Sequence, residues 1–224
     1  MKDRVIKAFI LDLDGVVTDT AEYHFQAWKQ LADEEDVPFT RADNEQLRGV
    51  SRRQSLEFLL GDRIADYSEE EIQLLMARKN SYYQSMLTNI TTEDFLPGAR
   101  ELLAELRGRE MKIAIGSASK NTRTVLTQLG VLDLFDGISD GYTVERAKPK
   151  PDVFVFAAGT MGIPVVNCVV VEDAESGVEA ALTAGMVAVG VGPVERVGKA
   201  HYRFETTAEI DIDVVLGGRY SKKT

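Results

Sequence analysis

Apolar positions recur along this chain in two rhythms. Short, nearly unbroken apolar runs at residues 5–11, 111–115 and 167–171 are each followed by polar residues: Asp12 and Asp14, Ser117 and Ser119, Glu172 and Asp173. Runs of this kind predict strands buried on both faces, as in a parallel sheet, and residues 187–191 predict one more. Between them, residues 98–107, 120–129, 152–161 and 176–184 repeat apolar positions at the helical period. The resulting βαβα order predicts an α/β fold with a parallel sheet. Residues 21–92 carry helical patterning alone, which predicts an all-helical cap domain inserted after the first strand. Residues 1–20 and 93–224 would then form the core domain. Residues 210–216 read as a short strand, and the Lys-rich end reads as frayed.

Three details inside the helical segment depart from a plain amphipathic pattern. His24, Trp28 and Leu31 share one helix face, which reads either as core packing or as a wall of a site. A helix opening with the capping box Ser68/Glu71 carries Lys79 on the same stripe as Ile72, Leu75, Met76, Tyr83 and Met86. That lysine either snorkels past the rim or reaches an anion between two lobes. Finally, Gly49 breaks the pattern after Arg48, and Ser51 with Gln54 forms a new capping box. A fresh helix start flanked by Arg48 and Arg52 suits a phosphate, although a bare charge run is more often a solvated surface.

Composition narrows the class. With 26 Lys+Arg against 36 Asp+Glu, the formal net charge of −10 disfavours nucleic acid and anionic membranes as partners. The single cysteine, Cys168, lies in an apolar run and reads as a small buried hydrophobe. The first residues lack an extended apolar stretch, and no run is of membrane-spanning length, so a soluble cytoplasmic protein is expected. Nothing in the surface pattern suggests an obligate interface, and a monomer is expected.

The chemistry lies at the strand ends, where ligands collect in open α/β sheets. Asp12 and Asp14 stand two residues apart, on one face of an extended segment, and Gly15 lets the backbone turn away. Two converging carboxylates call for a cation, and a hard divalent ion such as Mg2+ is the simplest. Ser117, Ser119, Lys120 and Asn121 offer a second anion cradle before a helix. Lys148 sits between alanine and proline in a segment that its prolines keep from being helical. Glu172 and Asp173 form the second acidic pair. Carboxylates, a lysine and a hydroxyl together suit metal-assisted phosphoryl transfer.

In chain order, Asp12-x-Asp14-Gly15, Ser117, Lys148 and Glu172-Asp173 resemble the motif set of the haloacid dehalogenase superfamily of aspartyl-phosphate enzymes, and the match spans the whole chain. Residues 18–29, 47–52, 78–80 and 117–121 are similar to those of its sugar phosphomutases. The resemblance implies a Rossmann-like core and Mg2+ as cofactor. Asp12 would be the nucleophile and Asp14 the general acid/base. Asp12, the Asp14 carbonyl and Asp173 would bind the metal, with Glu172 alongside. Ser117 and Lys148 would hold the transferring phosphate. Arg52, Ser119, Lys120 and Asn121 would hold a distal one, with Ala118 in the same loop. Gly49, Val50 and Ser51 would line the substrate site, while Trp28 and Lys79 would shape the sugar pocket. His24, with Thr20, would couple cap closure to Asp14. Arg48 stands where lysine is commoner in the family, so a planar fork replaces a compact ammonium. The implied reaction converts β-glucose 1-phosphate to glucose 6-phosphate through glucose 1,6-bisphosphate. A sugar-phosphate phosphatase, or a mutase acting on a different sugar, stands as the alternative.

Overall fold

The structure, a computed structural model, describes residues 5–217. Its centre is a six-stranded sheet, all parallel, in the order β3-β2-β1-β4-β5-β6. The strands are β1 (Ala8–Leu11), β2 (Lys112–Gly116), β3 (Gly137–Ser139), β4 (Cys168–Glu172), β5 (Val187–Val191) and β6 (Tyr202–Phe204). The strands expected from the apolar runs at 5–11, 111–115, 167–171 and 187–191 are present, although the first begins at Ala8, later than its apolar run. The two edge strands β3 and β6 span three residues each, too short to stand out as apolar runs.

The helices, in chain order, are α1 (Ala21–Glu34), α2 (Arg41–Glu45), α3 (Arg52–Leu60), α4 (Glu69–Leu87), α5 (Ala99–Gly108), α6 (Thr122–Gln128), α7 (Asp152–Thr160), α8 (Glu175–Thr183), α9 (Val194–Val197) and α10 (Ile212–Leu216). The last corrects an expectation. Residues 210–216 hold a helix and no strand, because Asp211 Oδ1 accepts from the Val214 amide at 3.0 Å and Ile212 and Val215 turn one face inward. The Lys-rich end lies outside the described residues.

Alternation along the strands sends side chains to two layers. Phe9, Leu11, Ile113, Ile115, Val169 and Val171 pack in the layer that includes Leu102, Leu106 and Val125 of α5 and α6. Ala8, Ile10, Ala114 and Val170 face the opposite layer, with Phe154 of α7 and Val178 of α8. Cys168 is fully buried there. Residues 21–87 form no strand, and their helices close around a separate cluster of Trp28, Leu31, Phe39, Leu56, Leu59, Leu60, Ile72 and Leu75. The capping boxes expected at Ser51/Gln54 and Ser68/Glu71 both form. The chain leaves and re-enters the sheet region along neighbouring paths. Leu96 N donates to Val17 O at 3.0 Å, and Thr18 Oγ1 donates to Asp94 O at 2.5 Å.

Candidate active site

Sheet register assembles the site. Leu11 lies opposite both Ile115 and Val171, so the next residues of three adjacent strands emerge together at their carboxyl ends, where the order turns from β2-β1 to β1-β4. Asp12 N still donates to Val171 O at 2.9 Å, and Ser117 N donates to Ser139 O at 3.0 Å. The polar residues therefore begin where the ladder ends. Asp12, Glu172 and Asp173 are buried, and one carboxylate oxygen from each lies within 4.8 Å of the others. Gly15 is required beside them: its φ is +82°, and a Cβ there would overlap the Asp173 carboxylate.

Lys148 answers this negative charge. Its side chain is 1% exposed, and Nζ donates to Asp12 Oδ1 at 2.9 Å and Glu172 Oε1 at 2.7 Å. Burial opposes its charge, but the two carboxylates prevail and raise its pKa above the ordinary lysine value. Glu172 and Asp173 are themselves displaced upward, chiefly by burial and also by neighbouring negative charge. Glu172 Oε2 accepts from the Ala174 amide at 2.8 Å. Arg48 brings the fork that a lysine lacks: Nε and Nη2 reach Glu45, while Nη1 donates to Asp173 Oδ2 at 3.1 Å. Arg196 lies 3.6 Å from the same oxygen. Three converging carboxylates that draw three cationic side chains form an oxygen donor set that fits a hard divalent ion.

Asp14 faces differently. Its carboxyl accepts from Thr20 Oγ1, whose oxygen lies 2.9 Å from Tyr83 Oη. Thr20 occupies the N-cap position of α1, yet its hydroxyl caps no backbone amide; it serves Asp14 instead. Crowding by protein atoms raises the Asp14 pKa to about 6, the Thr20 hydrogen bond opposes that rise, and the charge on Asp12 adds to it. The Tyr83 ring stacks on His24 with centroids 4.0 Å apart. Lys79 does not snorkel. It is 2% exposed, hydrogen-bonds His24, and its Nζ lies 4.8 Å from the ring centroids of both Trp28 and Tyr83.

A second polar group spans the gap between the helical segment and the sheet region. Asn80 Oδ1 accepts from Arg52 Nη2 at 2.8 Å and from Asn121 Nδ2 at 2.9 Å, and Gln84 Nε2 donates to Asn121 Oδ1 at 3.1 Å. Among the described residues no carboxylate lies within ion-pair distance of Arg52 or Lys120, although most arginines of this acidic chain are so paired. Both acidic and cationic groups open into one cleft of about 650 Å³, which the Arg48–Ser51 loop, Ala118, Ser119, Trp28 and Lys79 also line. That volume suits a small ligand. A shallower hollow beside Phe25 and Lys29 holds no such constellation. Gly49, with φ of +71°, lets its loop sit close to α8, where a Cβ would lie 2.6 Å from Ser176 Oγ.

All the expected site residues thus line this cleft or directly support it. Tyr83, Gln84, Tyr142 and Arg196 were not among them. Tyr83 follows the apolar stripe of α4 and gives no sign of its hydroxyl's partner, and Arg196 lies outside every motif.

The chain matches known proteins over most of its length. The description of haloacid dehalogenase-like hydrolases matches residues 6–185. The chain is 42% identical to the β-phosphoglucomutase of Bacillus subtilis over 94% of each protein. It is 29% identical to a phosphorylated carbohydrates phosphatase of Thermotoga maritima, over 81% of this chain and 82% of that protein. A crystal structure of β-phosphoglucomutase from Clostridium difficile superposes with a TM-score of 0.92 at 39% identity, covering 95% of this chain and 96% of the other.

Proposed function

The chain belongs to the haloacid dehalogenase-like hydrolases and, within them, to the β-phosphoglucomutase family, and from that membership we propose that it interconverts β-glucose 1-phosphate and glucose 6-phosphate through glucose 1,6-bisphosphate. The observation that carries a mutase over a plain phosphatase is the pairing of two cationic subsites in one cleft. One subsite, Lys148, is locked to carboxylates; the other, Arg52 with Lys120, has none among the described residues. A monoester phosphatase needs one phosphate subsite, whereas a bisphosphate that turns end for end needs two.

In this reading the 6-hydroxyl of β-glucose 1-phosphate attacks the phosphorus of an aspartyl phosphate at Asp12, Asp14 as carboxylate takes the hydroxyl proton, and the bond from phosphorus to Asp12 breaks, which leaves the 1,6-bisphosphate. After the bisphosphate has turned end for end, an Asp12 oxygen attacks the phosphorus of the 1-phosphate and the bond to the sugar oxygen breaks. Asp14, now protonated, gives its proton to that oxygen, so glucose 6-phosphate leaves and the aspartyl phosphate is restored. A pKa of about 6 suits a group that must hold and surrender a proton near neutrality. Lys148 and Ser117 hold the transferring group; Arg52, Ser119, Lys120 and Asn121 hold the distal phosphate. Thr20 orients the Asp14 carboxyl, and His24 with Lys79 links that orientation to the helical cap of residues 21–92. Asp12, the Asp14 carbonyl, Glu172 and Asp173 would hold Mg2+, which when bound supplies positive charge to the phosphoryl oxygens. Contacts such as Arg48–Asp173 and Asn80–Asn121 hold the cap against the core and favour exclusion of water.

A coupled assay with Mg2+, β-glucose 1-phosphate and a trace of the 1,6-bisphosphate tests this reading by following glucose 6-phosphate and free phosphate together. Glucose 6-phosphate without matching phosphate release is expected. Free phosphate alone would make the protein a sugar-phosphate phosphatase, and silence until other sugar phosphates are supplied would change the sugar.

A further inference from the structure

Tyr142 is the most exposed of the large hydrophobic side chains described, at 74%, yet it lies on the wall of the cleft and not on an outer face. Its backbone is firmly placed. Tyr142 N donates to Asp140 Oδ1 at 2.9 Å, and Thr143 Oγ1 accepts from Asp140 N at 2.9 Å and lies 3.0 Å from Ser139 Oγ. Ser139 and Asp140 are both buried. The loop is also tied to the anion cradle beside it, since Gly141 N donates to Ser119 O at 3.1 Å. No larger residue would allow that approach: a Cβ at Gly141 would lie 2.5 Å from Ala118 O and 2.8 Å from Lys120 Cγ. A rigid turn therefore presents an aromatic ring to open cleft.

The ring's neighbours are Lys120 and Arg52, neither of which has a carboxylate at ion-pair distance among the described residues. Lys120 Nζ lies 5.2 Å from the Tyr142 ring centroid, within cation–π range. The Tyr142 phenol is within electrostatic range of the Arg52 guanidinium across the cleft. The stack fixes a flexible ammonium without neutralising it, so its charge stays available to an anion. The phenol hydroxyl, which makes no side-chain hydrogen bond among those described, is free to donate to the same anion.

We propose that Tyr142 is a substrate-binding residue whose ring holds Lys120 in place at the distal anion subsite and whose hydroxyl donates to the phosphate lodged there between Lys120 and Arg52. The proposal rests on the two-subsite reading of the cleft, and it adds a determinant on the loop between β3 and α7.

The test is calorimetric titration of glucose 1,6-bisphosphate into the Asp12→Asn protein, which cannot turn the ligand over, and into the same protein carrying Tyr142→Phe or Tyr142→Ala. Loss of one hydrogen bond to a charged group predicts about tenfold weaker binding for the phenylalanine variant. The alanine variant, which also frees Lys120, is expected to bind more weakly still. An exposed side chain predicts unchanged melting temperatures. Equal bisphosphate dissociation constants, or no bisphosphate binding by the Asp12→Asn parent, would overturn the assignment. If the unsubstituted enzyme forms glucose 6-phosphate while those constants stay equal, the Tyr142 role alone falls. If it only releases phosphate while the tenfold loss holds, the mutase reading alone falls.

Discussion

Lys79 Nζ lies 2.8 Å from His24 Nδ1, joining α4 to α1 beneath the cleft, with no carboxylate at ion-pair distance among the described residues. Burial lowers the pKa of both groups well below their ordinary values, and the positive charge of Arg52 lowers them further. A buried cation without a counter-ion is costly in the free protein and has value only when an anion arrives.

Replacing it should therefore exchange function for stability. Lys79→Met is expected to raise the melting temperature at neutral pH by about 2–6 °C while weakening sugar-phosphate turnover. The unfolded chain holds the Lys79 proton up to about pH 10, whereas the folded protein releases it at lower pH. Wild-type stability should consequently rise with pH between those values, and the variant should lose that part of the rise. Thermal unfolding across a pH series measures both effects; a variant less stable than wild type would contradict them.

Thr20 sets where Asp14 titrates. Its hydroxyl stabilises the charged carboxylate, so Thr20→Val removes an influence that lowers the pKa, and the Asp14 pKa should rise above about 6. The acid limb of the kcat/KM profile, which the proposed base role of Asp14 would set, is then expected to move to higher pH by roughly half to one unit. An unmoved limb would detach Thr20 from the titrating group.

Arg52 should separate mutase from phosphatase chemistry. Its guanidinium bonds Asn80 and is remote in sequence and role from the Asp12 group. Arg52→Ala is expected to lower kcat/KM for β-glucose 1-phosphate by about 10- to 100-fold and to leave hydrolysis of an aryl phosphate nearly intact. Parallel losses on both substrates would place Arg52 in the transferring subsite.

Asp173 tests the metal site through binding as well as rate. Asp173→Ala should weaken Mg2+ binding, read by calorimetry, by at least about 100-fold and abolish Mg2+-dependent turnover. The circular dichroism spectrum should stay that of the folded protein, because removing one of three crowded carboxylates relieves repulsion. Near-normal affinity would remove Asp173 from the ligand set.

Local pattern alone determined a good deal about this protein. Apolar runs ending in Asp12, Ser117 and Glu172 specified buried parallel strands with chemistry at their ends, because a strand covered on both faces can carry polar residues only where the ladder stops. The capping boxes at Ser51 and Ser68 were equally legible, since they are closed by residues three apart. Residues 210–216 were misread because the alternation of Ile210, Asp211, Ile212 and Asp213 fits a strand as well as it fits a capped helix; the Asp211 cap and the packing of Ile212 and Val215 decided it. Tertiary structure also decided which groups meet across long stretches of sequence. Lys148 reaches Asp12 from 136 residues away and Arg48 reaches Asp173 from 125. Thr20, placed where a threonine would ordinarily cap a helix, turns to Asp14 and Tyr83 instead. Such partnerships follow from how packed elements are juxtaposed, and local periodicity carries no record of that distance.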